Sequence, residues 1–183
     1  MKICILLVSI AALAGCGAIT SGEKPARYRA TITGNFVENT VEGPRACKYN
    51  RTLSGEVWVE LRREGVVEGD GGVNLQFGGS SLLEGNATLC GGSSSSTQST
   101  GGWSADLSGT GSNVLFRIRR TDSNAAPTNP NVFSIDYDIT FSGVLSGSSI
   151  PGTLTVSRSG SGNLGGQSTT STGSATFNVA LQR

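Results

Sequence analysis

The feature that most limits what this chain can fold into is a period-two alternation of apolar and polar residues that returns in run after run. It is clearest between Thr52 and Phe77, where Leu53, Gly55, Val57, Val59 and Leu61 form one row and Ser54, Glu56, Trp58, Glu60 and Arg62 the opposite one. A β-strand sends successive side chains to opposite faces, so this alternation means a strand with one buried face. Arg63-Glu64-Gly65 then turns the chain, Gly65 supplying the positive φ that a tight connection often needs, and Val73, Leu75 and Phe77 return inward. The same period marks Tyr28, Ala30, Ile32, Gly34 and Phe36, and also Phe133, Ile135, Tyr137, Ile139 and Phe141. From there a turn at 146–149 leads to Ile150, Gly152, Leu154 and Val156, and Ala175, Phe177, Val179 and Leu181 make a last strand. Trp103, Ala105 and Leu107 match Val114, Phe116 and Ile118 across 109–113, which predicts one more hairpin. No helical period follows Cys16. The pattern predicts a single all-β antiparallel domain of about eight or nine strands, with an up-and-down barrel slightly preferred over a sandwich as the way to hide the sheet edges. Residues 91–102 and 157–174 are so poor in apolar side chains that they are expected to be mobile loops outside the core.

The start of the chain has a different character. Lys2 precedes an apolar run from Ile3 to Leu13, and Leu13-Ala14-Gly15-Cys16 follows. These residues resemble a bacterial lipoprotein signal peptide with its lipobox, and the resemblance covers residues 1–16 only. It implies export, cleavage before Cys16, acylation of Cys16 by chains such as palmitate, and a cell-envelope location with the membrane as partner through that anchor. Gly17 stands where an Asp would mark inner-membrane retention, which implies the outer membrane if the source is Gram-negative. The apolar run is too short for a spanning helix, which needs about 20 such residues; a retained span reaching Gly22 is the weaker alternative, since Gly15, Gly17, Thr20, Ser21 and Gly22 dilute it. Ordinary cleavage after Ala12-Leu13-Ala14 is a second alternative. The expected organisation is a signal peptide at 1–15, the lipidated cysteine and a flexible tether at 16–27, and the β domain at 28–183. A tether of that size has an r.m.s. span of roughly 20 Å.

If Cys4 leaves with the signal and Cys16 is acylated, Cys47 and Cys90 remain as an even pair in an exported domain. A disulfide between them would close a long loop and stabilise by roughly 4 kcal/mol in the chain-entropy description. A reactive or metal-binding thiol is the rival, but the close-spaced Cys or His partners of a metal site are missing.

Acidic and basic residues number 13 and 14 in the whole chain, and loss of Lys2 leaves the mature part neutral. Neutrality gives no electrostatic footprint for nucleic acid. The chain has no histidine, which removes Ser-His-Asp and Cys-His catalysis and His-ligated zinc. Asp136 and Asp138 share one strand face, but glycosidase carboxylates must flank the scissile bond, and a solvated face with Ser134, Thr140 and Ser142 is the ordinary account of them. Asp122, Asn124, Asn129, Asn131 and Asp70 match no dense calcium motif, and Asx-rich turns bond their own backbone without an ion. No metal and no cofactor is expected.

Glu56, Trp58, Glu60 and Arg62 form a candidate binding patch, helped by the 91–102 segment. The structural alternative is a set of cross-strand ion pairs with Arg117 and Arg119 and an Arg resting on Trp58. The function these observations lead to is a lipid-anchored cell-envelope β domain, not an enzyme, with a binding or structural role toward an envelope protein or glycan. The alternative is a carrier holding a small apolar ligand inside a barrel, and a histidine-free glycan hydrolase ranks third. An interior cavity would favour the carrier, and a cleft with two facing carboxylates the hydrolase.

Overall fold

The computed structural model describes residues 25–90, 95, 97–123, 132–164 and 166–183. The signal segment, Cys16, most of the tether and Asn124, Asn129 and Asn131 lie outside the described residues. Among the described residues nine strands follow in order: β1 (Ala26–Glu42), β2 (Arg45–Arg63), β3 (Val66–Glu84), β4 (Gln98–Ser99), β5 (Trp103–Asp106), β6 (Asn113–Ser123), β7 (Phe133–Val144), β8 (Ser149–Leu164) and β9 (Gln167–Gln182). A single helical turn, α1 (Ala87–Cys90), is the one helical element among the described residues. All strands join one antiparallel sheet in the order β4-β3-β2-β1-β9-β8-β7-β6, with β5 also on β3, and the sheet curls into a half-barrel. The first and last long strands are therefore neighbours, and the free edges meet at a seam between β3 with its short partners and β6.

The seam corrects one expectation. Trp103–Asp106 pairs with β3, not with β6, in the register Gly72↔Ser104 and Val73↔Trp103. Alternation tells which face a residue takes but not which strand lies beside it. Just past β5, Leu107 N donates to Gly69 O at 2.9 Å and Ser108 N to Leu115 O at 2.8 Å, so this segment bridges the two edges. Phe116 lies against Gly71, where a Cβ would stand 2.1 Å from the ring. Only a glycine lets the two sides of the seam close to this distance.

The inward rows anticipated from the alternation form the core. Tyr28, Phe36, Leu53, Val57, Val59, Leu61, Val73, Leu75, Phe77, Phe116, Tyr137, Ile139, Phe141, Ile150, Leu154 and Leu181 are all buried. Each such side chain contributes about 1.5–3 kcal/mol when removed from water. Ring centroids lie 5.3 Å apart for Phe36 and Phe77, 5.8 Å for Phe77 and Tyr137, 5.1 Å for Trp103 and Tyr137, and 5.5 Å for Phe116 and Phe141. Side chains from both walls meet across the interior.

The strands run well past the apolar rows that signalled them. Of residues 157–174, expected to be a mobile loop, 157–164 and 167–174 are instead the distal half of the β8–β9 hairpin, paired from Ser157↔Ser174 to Leu164↔Gln167, while 165 lies outside the described residues. Two physical reasons favour this. β9 lies between β1 and β8, so its backbone groups pair on both sides, and Thr suits a pleated surface. The inward face here carries Arg158, Thr169 and Ser171, buried polar residues whose alternation hydrophobicity does not record. The 91–102 expectation is corrected in part: Gln98 and Ser99 form β4, and buried Thr100 accepts a hydrogen bond from Leu75 N at 2.9 Å, while 91–94 and 96 lie outside the described residues.

Cys47 and Cys90 form a disulfide, with Cα atoms 5.8 Å apart, that ties the start of β2 to α1. The Tyr49 hydroxyl donates to Cys90 O beside it. Urea denaturation of the Cys47→Ser/Cys90→Ser double variant is expected to show a loss of up to about 4 kcal/mol with the fold retained; an unchanged midpoint would mean the bridge adds nothing.

Candidate functional site

Behind the site lies a charged cluster inside the half-barrel. Glu38 on β1 and Arg158 on β8 are 3 % and 8 % exposed, yet the two strands are not paired neighbours in the sheet. Gly173 on β9 stands between them, paired with Glu38 on one side and Arg158 on the other. Having no side chain, it lets Arg158 Nη1 reach Glu38 Oε1 at 3.1 Å across a whole strand. A Cβ at Gly173 would fall 2.5 Å from the Phe36 ring and 2.7 Å from Val37 O. Arg51 Nε on β2 donates to the second Glu38 oxygen, Oε2, at 2.5 Å. Arg158 Nη2 donates to Gln98 Oε1 on β4 at 3.1 Å. The guanidinium carbon lies 5.7 Å from the Phe77 ring centre and 5.8 Å from that of Tyr137. Burial pushes the Tyr137 phenol above its ordinary value, with the Arg158 charge opposing.

On the outer side of this region the sheet forms an open groove of about 780 Å³. Its walls are two adjacent rows of outward side chains crossing five strands. In one row stand Val37, Ser174, Ser157, Asp138 and Arg119, each opposite the next in register. In the other stand Asn39, Thr172, Ser159, Asp136 and Thr121. The four central side chains, on β8 and β9, are Ser and Thr, small enough to leave the middle low, and larger groups rise at either end. Gly173 belongs to the lining with main chain alone, and Tyr137 and Arg158 line it from the buried side.

The carboxylate end of the groove is electrostatically arranged. Asp138 receives Arg117 Nε at 2.8 Å and a second bond from Arg117 Nη2, with Arg119 Nε at 3.5 Å. These donors, Arg117 first, hold its carboxyl below the usual aspartate range, so Asp138 keeps its charge and has no proton to give as a general acid. Asp136 accepts from the Thr121 hydroxyl at 2.5 Å. Both carboxylates rise from β7, on the same side of anything lying in the groove. They do not face each other across it, as paired glycosidase groups must. The solvated face expected for Asp136 and Asp138 is found, and these two residues stand on it at one end of an open groove.

Glu56, Trp58, Glu60 and Arg62 lie on the outer side of β2, as their alternation requires, but the cations beside them come from β1. Arg27 sits 5.1 Å from the centre of the Trp58 ring and 3.9 Å from Glu60, and Arg29 lies 3.5 Å from Glu56. Arg117 and Arg119, expected as their partners, face Asp138 instead. The reason is sheet order: β6 and β2 are not neighbours. Trp58 also covers Gly72, where a Cβ would stand 2.4 Å from the indole. Among the described residues no three His, Cys, Asp or Glu groups gather as a metal site.

Hydrophobic alternation does not mark the groove rows on β8 and β9 or the buried Arg158, because they fall in a stretch poor in apolar side chains. One signal was present. Leu154, Val156, Arg158 and Gly160 continue the inward period without a break, placing Ser157 and Ser159 outward.

Because the folded-state value of Asp138 is lowered, its ion pairs contribute fully above the unfolded-state value and are lost as pH falls through the lowered one. In a carbon-13 NMR titration the Asp138 carboxyl is expected to titrate below the ordinary aspartate range, and Arg117→Ala to move its midpoint up. An ordinary midpoint in the wild type would refute the clamp.

No protein-family model matches the chain, and comparison with curated proteins and with solved structures finds no match.

Proposed function

We propose that the protein is a lipid-anchored cell-envelope β domain that acts by binding, not by catalysis, and that it binds through the outer groove. The observation that carries this is the groove itself, about 780 Å³ of open volume with polar walls contributed by five strands. Binding residues are best placed when a rigid scaffold fixes them, and every wall residue here sits on a paired strand. The carboxylates favour holding over cleaving, since they share one strand and Asp138 stays ionised. The carrier alternative has less support, because the interior is occupied by the aromatic and aliphatic rows and the Arg158 cluster. The Trp58 patch ranks behind the groove: its charges pair with Arg27 and Arg29, and its ring covers Gly72.

The anchor rests on the lipobox at Leu13–Cys16, and the envelope, the outer membrane in a Gram-negative cell, follows from it. On detergent phase separation the wild type is expected in the detergent phase and Cys16→Ala in the aqueous phase; equal partitioning of the two would remove the anchor from the account. The binding role is tested with a photo-reactive phenylalanine derivative in place of Ser159, in the groove, or of Asn74, exposed on the outer side of β3. Irradiation of intact cells is expected to give an adduct from position 159 and not from 74. No adduct at 159, or equal adducts from both, would reject the groove.

A further inference from the structure

We infer that the occupant of the groove is a glycan chain lying across the strands, an inference that rests on the groove being the binding site. Shape is the first ground. The walls span five strands, four inter-strand steps of about 4.8 Å, or about 19 Å in all, while their width is only two outward positions per strand. Such a trough fits a short oligosaccharide and not a compact metabolite.

Chemistry is the second ground. Sugar hydroxyls both donate and accept, and the walls offer each complement: acceptor-only carboxylates in Asp136 and Asp138, donor-only guanidinium in Arg119, an amide in Asn39, and hydroxyls along the low centre. On the outward face Arg117 and Arg119, both paired with Asp138, balance the charges of Asp138 and Asp136, so this end of the groove has no net attraction for the polyanionic backbone of a nucleic acid. Other occupants fit less well. A protein interface concentrates aromatic and apolar anchors at its centre, whereas here the centre is Ser and Thr and Val37 is the one aliphatic wall residue. An extended peptide adds to a sheet through an unpaired edge, and on β7, β8 and β9 the main-chain groups are already used in the ladders.

The same photo-crosslink separates this inference from the one beneath it. After irradiation of cells carrying the reactive residue at position 159, the modified peptide is isolated and its added mass fragmented. Sugar fragment ions are the expected result, with a several-fold lower yield when Asn39→Ala or Asp136→Asn is combined with the reactive residue. An adduct composed of amino acids or of lipid would overturn the glycan while leaving the groove as a binding site, and so would a sugar adduct whose yield neither substitution changes. No adduct at all would overturn the groove, and the glycan with it.

Discussion

Everything distinctive about this half-barrel depends on one interaction, the buried ion pair of Arg158 and Glu38 reaching across β9. Two charges withdrawn from water are tolerated only when each finds enough partners, and removing one member of such a pair costs about 3–5 kcal/mol. Here the partners come from all sides of the interior: Arg51 from β2, Gln98 from β4, and the ring faces of Phe77 and Tyr137. The cluster therefore links the β1–β2 wall to β8 and, through Gln98, crosses to the opposite edge of the sheet. Apolar packing and the Ser108 bridge close the other end of the seam. Gly173 stands in register between the two charges, and a Cβ there would already fall 2.5 Å from the Phe36 ring.

The outer groove is the other face of the same solution. With the inward positions of the distal β8–β9 hairpin given to Arg158, Gly160, Ser171 and Gly173, order in this region comes from strand pairing and the charge cluster, with little apolar burial. Its outward positions carry no part of the core and are free to be small and polar. Ser157, Ser159, Thr172 and Ser174 form the low centre for that reason, and Asp136 and Asp138 on β7 stand at its rim, fixed by Thr121 and Arg117.

How far the fold could be read in the chain follows from what alternation measures. Where the inward row is Leu, Val, Ile and Phe, as in Leu53 to Leu61 or Phe133 to Phe141, strand and buried face were legible in the residues. The Cys47–Cys90 pairing was legible too, from the even count that remains when Cys4 and Cys16 are assigned to the expected signal and anchor. Alternation does not name neighbours: it matches β5 to β6 and allows Arg117 beside Glu56, whereas sheet order puts β5 on β3 and gives the place beside Glu56 to Arg29. It also fails where the inward row turns polar. Arg158 and Ser171 are as much interior residues as Val156, but they owe their burial to partners on strands far away in sequence. No local pattern carries that information, and the hairpin that builds the groove was hidden with them.

Hydrogen–deuterium exchange of residues 157–163 and 167–174 tests this most directly, in the wild type and in Glu38→Gln. The account predicts that these amides in the wild type are protected like the apolar half of the same hairpin, and that Glu38→Gln, which leaves Arg158 buried without its carboxylate, strips protection from the polar half first. Rapid exchange of 157–174 in the wild type, at the rate of an open loop, would contradict it.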